Sequence, residues 1–157
     1  MQLESLSHPQ LNEPMSADAK TLTLKRSDAP AMTFEVGELA RQADLSVWAS
    51  QGATRLLASI TVGQPPERAD FRPLTVDYYE RANAVGSIAG NFHRRELRQN
   101  DHEVRVSRLI DRALRPLFDP EERREVQVVI QVFSVDPKLD LLGLAITAAG
   151  LAAQSSL

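Results

Sequence analysis

The order of patterned segments predicts an α+β fold: four strand-like stretches, then strand, helix, strand, helix, with the helices covering a mixed sheet. Three observations carry that reading. Short apolar segments with alternating or β-branched character fill the first half of the chain. Residues 101–115 instead repeat apolar side chains at helical spacing. Residues 139–154 form an apolar, small-residue run that is too long for one strand and reads as a helix packed closely on a sheet.

Residues 1–20 mix Ser, Pro, Gln, Asn and acids without a period and read as a disordered lead-in. Residues 21–157 read as one core domain, without an internal repeat or a linker. Residues 21–25 and 32–36 are strand candidates, followed by a turn over 37–44. Residues 46–50 and 55–62 are apolar strands, and Gln51-Gly52-Ala53 between them signals a hairpin. Trp48 is expected in the core or on a sheet face. Residues 63–70 carry two prolines and are read as a loop. Residues 74–81 form another strand, with Val76 and Tyr78 on one face and Asp77 and Tyr79 on the other. Both tyrosines are expected to pack rather than to stack on bases. Residues 119–125 are a charged connector, and the valine-rich residues 126–135 read as a strand buried on both faces. Asp136 and Asp140 are expected to cap the last helix rather than to bind metal.

The composition narrows the chemistry. A chain of 157 residues, 43% hydrophobic and 25% charged, is long enough to bury a real core. It has no cysteine, so disulfides, thiolate catalysis and zinc–cysteine sites are excluded. Neither G-x-S-x-G, H-E-x-x-H nor G-x-x-x-x-G-K-[ST] occurs. No residue is therefore assigned as catalytic, and no metal ligand is assigned. Asp101 and His102 are read as solvated loop residues. The longest apolar stretch, residues 141–153, is shorter than the roughly 20 residues that span a bilayer. With no charged-then-apolar leader, the expected location is cytoplasmic, away from membranes.

The chemistry concentrates in residues 86–115. They hold seven arginines, no lysine and four acids, about +3, in a chain of net charge −3. Asn100 is a plausible N-cap, with Glu103 placed to complete a capping box. Val106, Leu109, Ile110, Ala113, Leu114 and Leu117 make an apolar stripe. Arg105, Arg108, Arg112 and Arg115 fall within an arc of roughly 80°, nearly opposite that stripe. Pro116 is expected to end the helix by taking Arg115 out of helical geometry. A solvated face, partly neutralised by Asp111, is one reading of these arginines. Two features favour phosphate: the planar guanidinium fork, and the adjoining Phe92, His93, Arg94 and Arg95. Stacking planes beside phosphate binders suit single-stranded RNA.

These residues also carry a family likeness. SRLIDRALRPLF, from Ser107, resembles the SRLIDRPIRPLF signature of the polynucleotide phosphorylases. FRPLTVDYYER, from Phe71, is similar to their FFPLTVDYQE, and GSIAGNFHRRELR, ending at Arg98, to their GxIPGxFFRREGR loop. VGELARQAD from Val36 and SVDP from Ser134 fit as well, all in the family's order. The resemblance implies an RNase PH-like core (ribosomal protein S5 domain 2-like) of mixed sheet layers backed by helices, incomplete at its C-terminal end. It implies part of a phosphorolytic 3′–5′ exoribonuclease that uses inorganic phosphate to release nucleoside diphosphates from RNA. A homotrimeric ring, other RNA-degradation proteins as partners, and Mg²⁺ with its ligands outside this chain are implied too. Matched to the family's motifs, Phe92, Arg94 and Arg95 correspond to the loop lining the ring channel, with His93 in place of a second phenylalanine. Arg108, Arg112 and Arg115 correspond to the signature helix that faces RNA or the cleft. Ala89 and Ala113 replace family prolines, and Leu141-Leu142 replaces Pro-Asp. The isolated chain is expected to be inactive, because the family's second core domain is absent from it. The alternative is a non-catalytic RNA-binding or structural subunit of such a ring.

Overall fold

In a computed structural model, the described residues are 20–25, 27, 29–65, 73–88, 90, 98–119 and 122–156. Strands β1 (Lys20–Leu24), β2 (Met32–Val36), β3 (Leu45–Gln51) and β4 (Thr54–Val62) follow one another as an antiparallel meander. β5 (Leu74–Glu80), a 3-10 turn (Ala82–Val85), helix α1 (Asp101–Leu114), a second 3-10 turn (Arg115–Leu117), β6 (Val126–Ser134) and helix α2 (Leu141–Ser156) complete the order. The six strands form one sheet in the order β1-β2-β3-β4-β6-β5. β6 is antiparallel to β4, and β5 is parallel to β6, as a strand–helix–strand crossover through α1 requires. The α+β mixed sheet expected from the sequence is what the chain forms.

Alternation fixes the register. Leu56, Ala58 and Ile60 of β4 stand opposite Val132, Ile130 and Val128 of β6, and all six are buried. A slip of one residue would turn this set to the other face. The hairpin between β3 and β4 turns on Gly52, whose φ of 54° is left-handed. A Cβ there would also meet Leu139 at 3.0 Å. α2 lies on β3 and β4 and against α1. Its buried side is Leu144, Ala145, Ala148, Ala149, Ala152 and Ala153, small enough for a close approach to the sheet. Asp140 accepts from the Gly143 amide at 3.2 Å and so caps α2, as expected. Asp136 instead accepts from the Lys138 amide at 3.0 Å, closing the turn before the helix.

The expectation for residues 126–135 needs correction. β6 is buried on one face only, and Gln127, Gln131 and Phe133 are exposed on it. Both helices contribute to a single core on the same side of the sheet, so neither covers the opposite face. Trp48 lies on that face with its ring 5.3 Å from that of Phe133. Phe133 is the extra residue where the β4–β6 register shifts beside Arg55 and Leu56. β-Branched richness marked a strand paired on both sides, and it did not report how many faces are covered.

Candidate nucleic-acid interface

α1 begins with the expected capping box. The Asn100 side chain accepts from the Glu103 amide at 2.9 Å, and the Glu103 carboxylate accepts from the Asn100 amide at 2.7 Å. Its buried residues are Glu103, Val106, Ser107, Ile110 and Leu114, an arc of about 100° at 100° per residue. That arc is rotated from the apolar stripe: Leu109, Ala113 and Leu117 are exposed, and two polar residues take their places. The reason lies in the neighbouring strand. β5 is an edge, and its outward amides need acceptors. The Tyr78 amide donates to Ser107 Oγ at 3.0 Å, and the Glu80 amide donates to Glu103 Oε1 at 2.7 Å. Gln99 Nε2 donates to the Tyr78 carbonyl at 3.0 Å and to Ser107 Oγ at 3.3 Å.

The arginines occupy the solvent side. Arg98, Arg105, Arg108, Arg112 and Arg115 are all exposed. Arg115 is held by Asp111 through two bonds, Nε at 3.1 Å and Nη2 at 2.9 Å. Arg105 Nε donates to the Asp101 carbonyl at 3.2 Å. Arg108 and Arg112 have no hydrogen-bond or ion-pair partner among the described residues, which leaves two uncommitted cations along the helix. Asp111 therefore neutralises Arg115 and not Arg108. Pro116 does not take Arg115 out of the helical region: Arg115 has φ −49° and ψ −43°, and the chain continues into the 3-10 turn. A proline lacks only an amide that the first turn of a helix leaves free anyway.

Two depressions flank α1. One, about 330 Å³ and open, is lined by Leu74, Thr75, Val76, Gln99, Arg108, Asp111 and Arg115. Its charge is that of Arg108, since Asp111 on the same wall neutralises Arg115, and one guanidinium over a strand edge can still take a phosphate there. The other, about 500 Å³, is mainly apolar, with Leu109, Leu139 and Leu142 on its walls and Glu80, His102 and Arg105 among its polar groups. Contrary to the loop reading, Asp101 and His102 form the first turn of α1. His102 Nε2 lies 3.7 Å from the Glu80 carboxylate. Tyr78 is buried and donates to the same carboxylate at 3.0 Å. Burial first, then the charge of Glu80, pushes its phenol well above the usual range. Tyr79 instead lies under the Arg81 guanidinium, 5.0 Å from the ring centre.

Phe92, His93, Arg94 and Arg95 lie outside the described residues, as does Ala89. Of the expected set, Arg108, Arg112 and Arg115 lie exposed on one helix, and Arg98 is exposed two residues before its N-cap. Gln99 and Ser107 were missed. Ser107 had a detectable signal, being a polar residue only about 20° around the helix from Leu114, at the edge of the arc that holds Val106 and Ile110.

One mixed sheet of six strands with two helices is an RNase PH-like fold. Rice (Oryza sativa) Rrp46 superposes with a TM-score of 0.62 at 19% identity, over 82% of this chain and 55% of that one. A chain of the Archaeoglobus fulgidus exosome, with RNA bound to its active site, superposes at 0.54 and 19% identity over 76% of this chain and 49% of that one. The model of the 3′ exoribonuclease family, domain 1, matches residues 30–156. The chain belongs to that family. It is also 44% identical over 135 residues to the polyribonucleotide nucleotidyltransferase of Amoebophilus asiaticus (strain 5a2). That match covers 83% of this chain and 19% of the relative, so the chain spans about a fifth of that protein's length.

Proposed function

We propose that this chain is the RNA-guiding first core domain of a phosphorolytic 3′–5′ exoribonuclease of the polynucleotide phosphorylase kind. The observation that carries this is the pair of exposed guanidinium groups of Arg108 and Arg112 on α1, without a partner among the described residues, with Arg115 on the same helix face. Single-stranded RNA has a phosphate at each nucleotide, and a row of arginines can follow that spacing without reading sequence. The loop residues Phe92, His93, Arg94 and Arg95 would add stacking planes and further cations to the same track. The relative from Amoebophilus is a polyribonucleotide nucleotidyltransferase, and the archaeal structure with the same fold holds RNA at its active site. Assembly of this domain into a trimeric ring belongs to the same proposal.

The reaction drives inorganic phosphate against a phosphodiester, two anions, and so demands concentrated positive charge. Among the described residues no group of three or more His, Asp or Glu side chains could hold Mg²⁺, which prefers oxygen ligands. The residues described do not fit the metal, and we assign it and the phosphate attack to parts of the enzyme beyond this chain. The isolated chain should bind single-stranded RNA yet release no nucleoside diphosphate from poly(A). Phosphate-dependent turnover by the chain alone would overturn this placement. RNA affinity measured against salt tests the binding surface. Arg108→Ala or Arg112→Ala should lower the slope of log K against log salt by about 0.7 each. Unchanged affinity and slope in both variants would mean that the arginine face is a solvated surface, and the RNA reading would fall.

A further inference from the structure

Glu103 is an acid buried to 4% exposure on the helix that carries the arginines. An anion on an RNA-binding helix weakens that helix's field, so electrostatics alone argues against its presence. The two carboxylate oxygens have a different use. Oε2 accepts the amide of Asn100, the N-cap of α1, at 2.7 Å, and Oε1 accepts the amide of Glu80, at the end of the edge strand, at 2.7 Å. One side chain therefore joins the start of the helix to the sheet edge through two charge-assisted bonds. One turn further on, Ser107 repeats the attachment through the Tyr78 amide, and Arg108 follows it directly in sequence.

We propose that Glu103 is a positioning residue for the RNA-binding face, fixing the angle at which α1 carries Arg108 and Arg112 past the sheet edge. The inference rests on the RNA-binding reading above. Without the carboxylate, two amides lose their acceptors, and the first turn of α1 loses its anchor and one half of its capping box, the Asn100 side chain still accepting from the Glu103 amide. The arginines then no longer lie along one track. A glutamine offers one accepting oxygen, and its amide group opposes the second donor, so it restores half of the attachment.

The test measures poly(A) affinity against salt for the full chain and for Glu103→Ala, Glu103→Gln and Arg108→Ala, with amide exchange at Glu80 and Asn100. Removing a negative charge near a polyanion should tighten binding if Glu103 acts only through its charge. The positioning role requires the opposite sign. Glu103→Ala should weaken binding about tenfold, Glu103→Gln about threefold, and both should lower the salt slope as fewer phosphates are neutralised together. The Glu80 and Asn100 amides should lose protection in the same order. If Glu103→Ala does not melt cooperatively, Glu103→Gln alone decides. Weaker binding by Arg108→Ala, with Glu103→Gln binding as well as or better than the parent chain, would overturn the positioning role and leave the RNA surface standing. Unchanged binding by Arg108→Ala would remove the RNA surface, and this inference with it.

Discussion

β1 and β5 are the two edge strands of one sheet, yet all five residues of β1 are exposed while Tyr78 in the middle of β5 is 2% exposed. Strand composition does not explain the difference. β1 reads KTLTL and β5 reads LTVDYYE, and β5 carries the more charge. What differs is the partner. β5 receives α1, whose Glu103 and Ser107 accept its outward amides and whose Ile110 and Leu114 seal the side chains beneath. Among the described strands β1 pairs only with β2, and Leu22 and Leu24 remain about half exposed. An edge is closed here by polar groups placed within an apolar helix face, which means the arginine-bearing helix is also the element that closes the sheet.

Apolar truncation should give the largest contrast. Ile110 is fully buried between α1 and the sheet, so Ile110→Ala should cost about 2–5 kcal/mol in denaturant unfolding. Leu22→Ala on β1 should cost less than about 1 kcal/mol, since half of that side chain already meets water. Equal losses would mean that β1 is as much a part of the cooperative core as β5. The polar contrast is smaller. Ser107→Ala strips the acceptor from the Tyr78 amide and should cost about 1–3 kcal/mol. Thr23→Ala on β1 should stay within about 0.5 kcal/mol.

The two edges were not equally legible. Alternation placed β2 at Met32–Val36 and put β1 within one residue of its ends, because a period of two is a local property. The capping box at Asn100 and Glu103 was legible for the same reason. The second bond of Glu103, to Glu80, was not, because it joins residues 23 positions apart and depends on β5 being an edge. Helical periodicity placed Leu109 and Ala113 in the buried stripe, whereas the tertiary contact turned the helix so that Ser107 faces inward. Likewise, the one-sided cover of β6 depends on where both helices land. The arginine face was read correctly as a face, but its division into bound Arg115 and uncommitted Arg108 and Arg112 needed the geometry around Asp111.

The smallest expected contrast is in alkaline titration. Tyr78 is buried beneath α1 with its hydroxyl on the Glu80 carboxylate, and its phenol ionises far above the ordinary value of 10.0. In the unfolded chain the same phenol ionises near that ordinary value. Above pH 10 the unfolded state therefore holds fewer protons than the folded one, and stability falls as pH rises. Below pH 10 the contribution is fully present. While the folded phenol stays neutral, the loss approaches about 1.4 kcal/mol per pH unit, reaching that rate only once the unfolded phenol is mostly ionised. Tyr78→Phe cannot ionise and should remove this part of the slope, at the cost of about 1 kcal/mol for the lost hydrogen bond at neutral pH. Thr23→Ala on β1, an exposed residue with nothing to titrate, should leave the alkaline slope as it is in the parent chain. Unfolding by urea at pH 8, 10 and 11 distinguishes these outcomes. If Tyr78→Phe keeps the parent's slope, the phenol is not sealed by α1, and the closed edge is wetter than its hydrogen bonds imply.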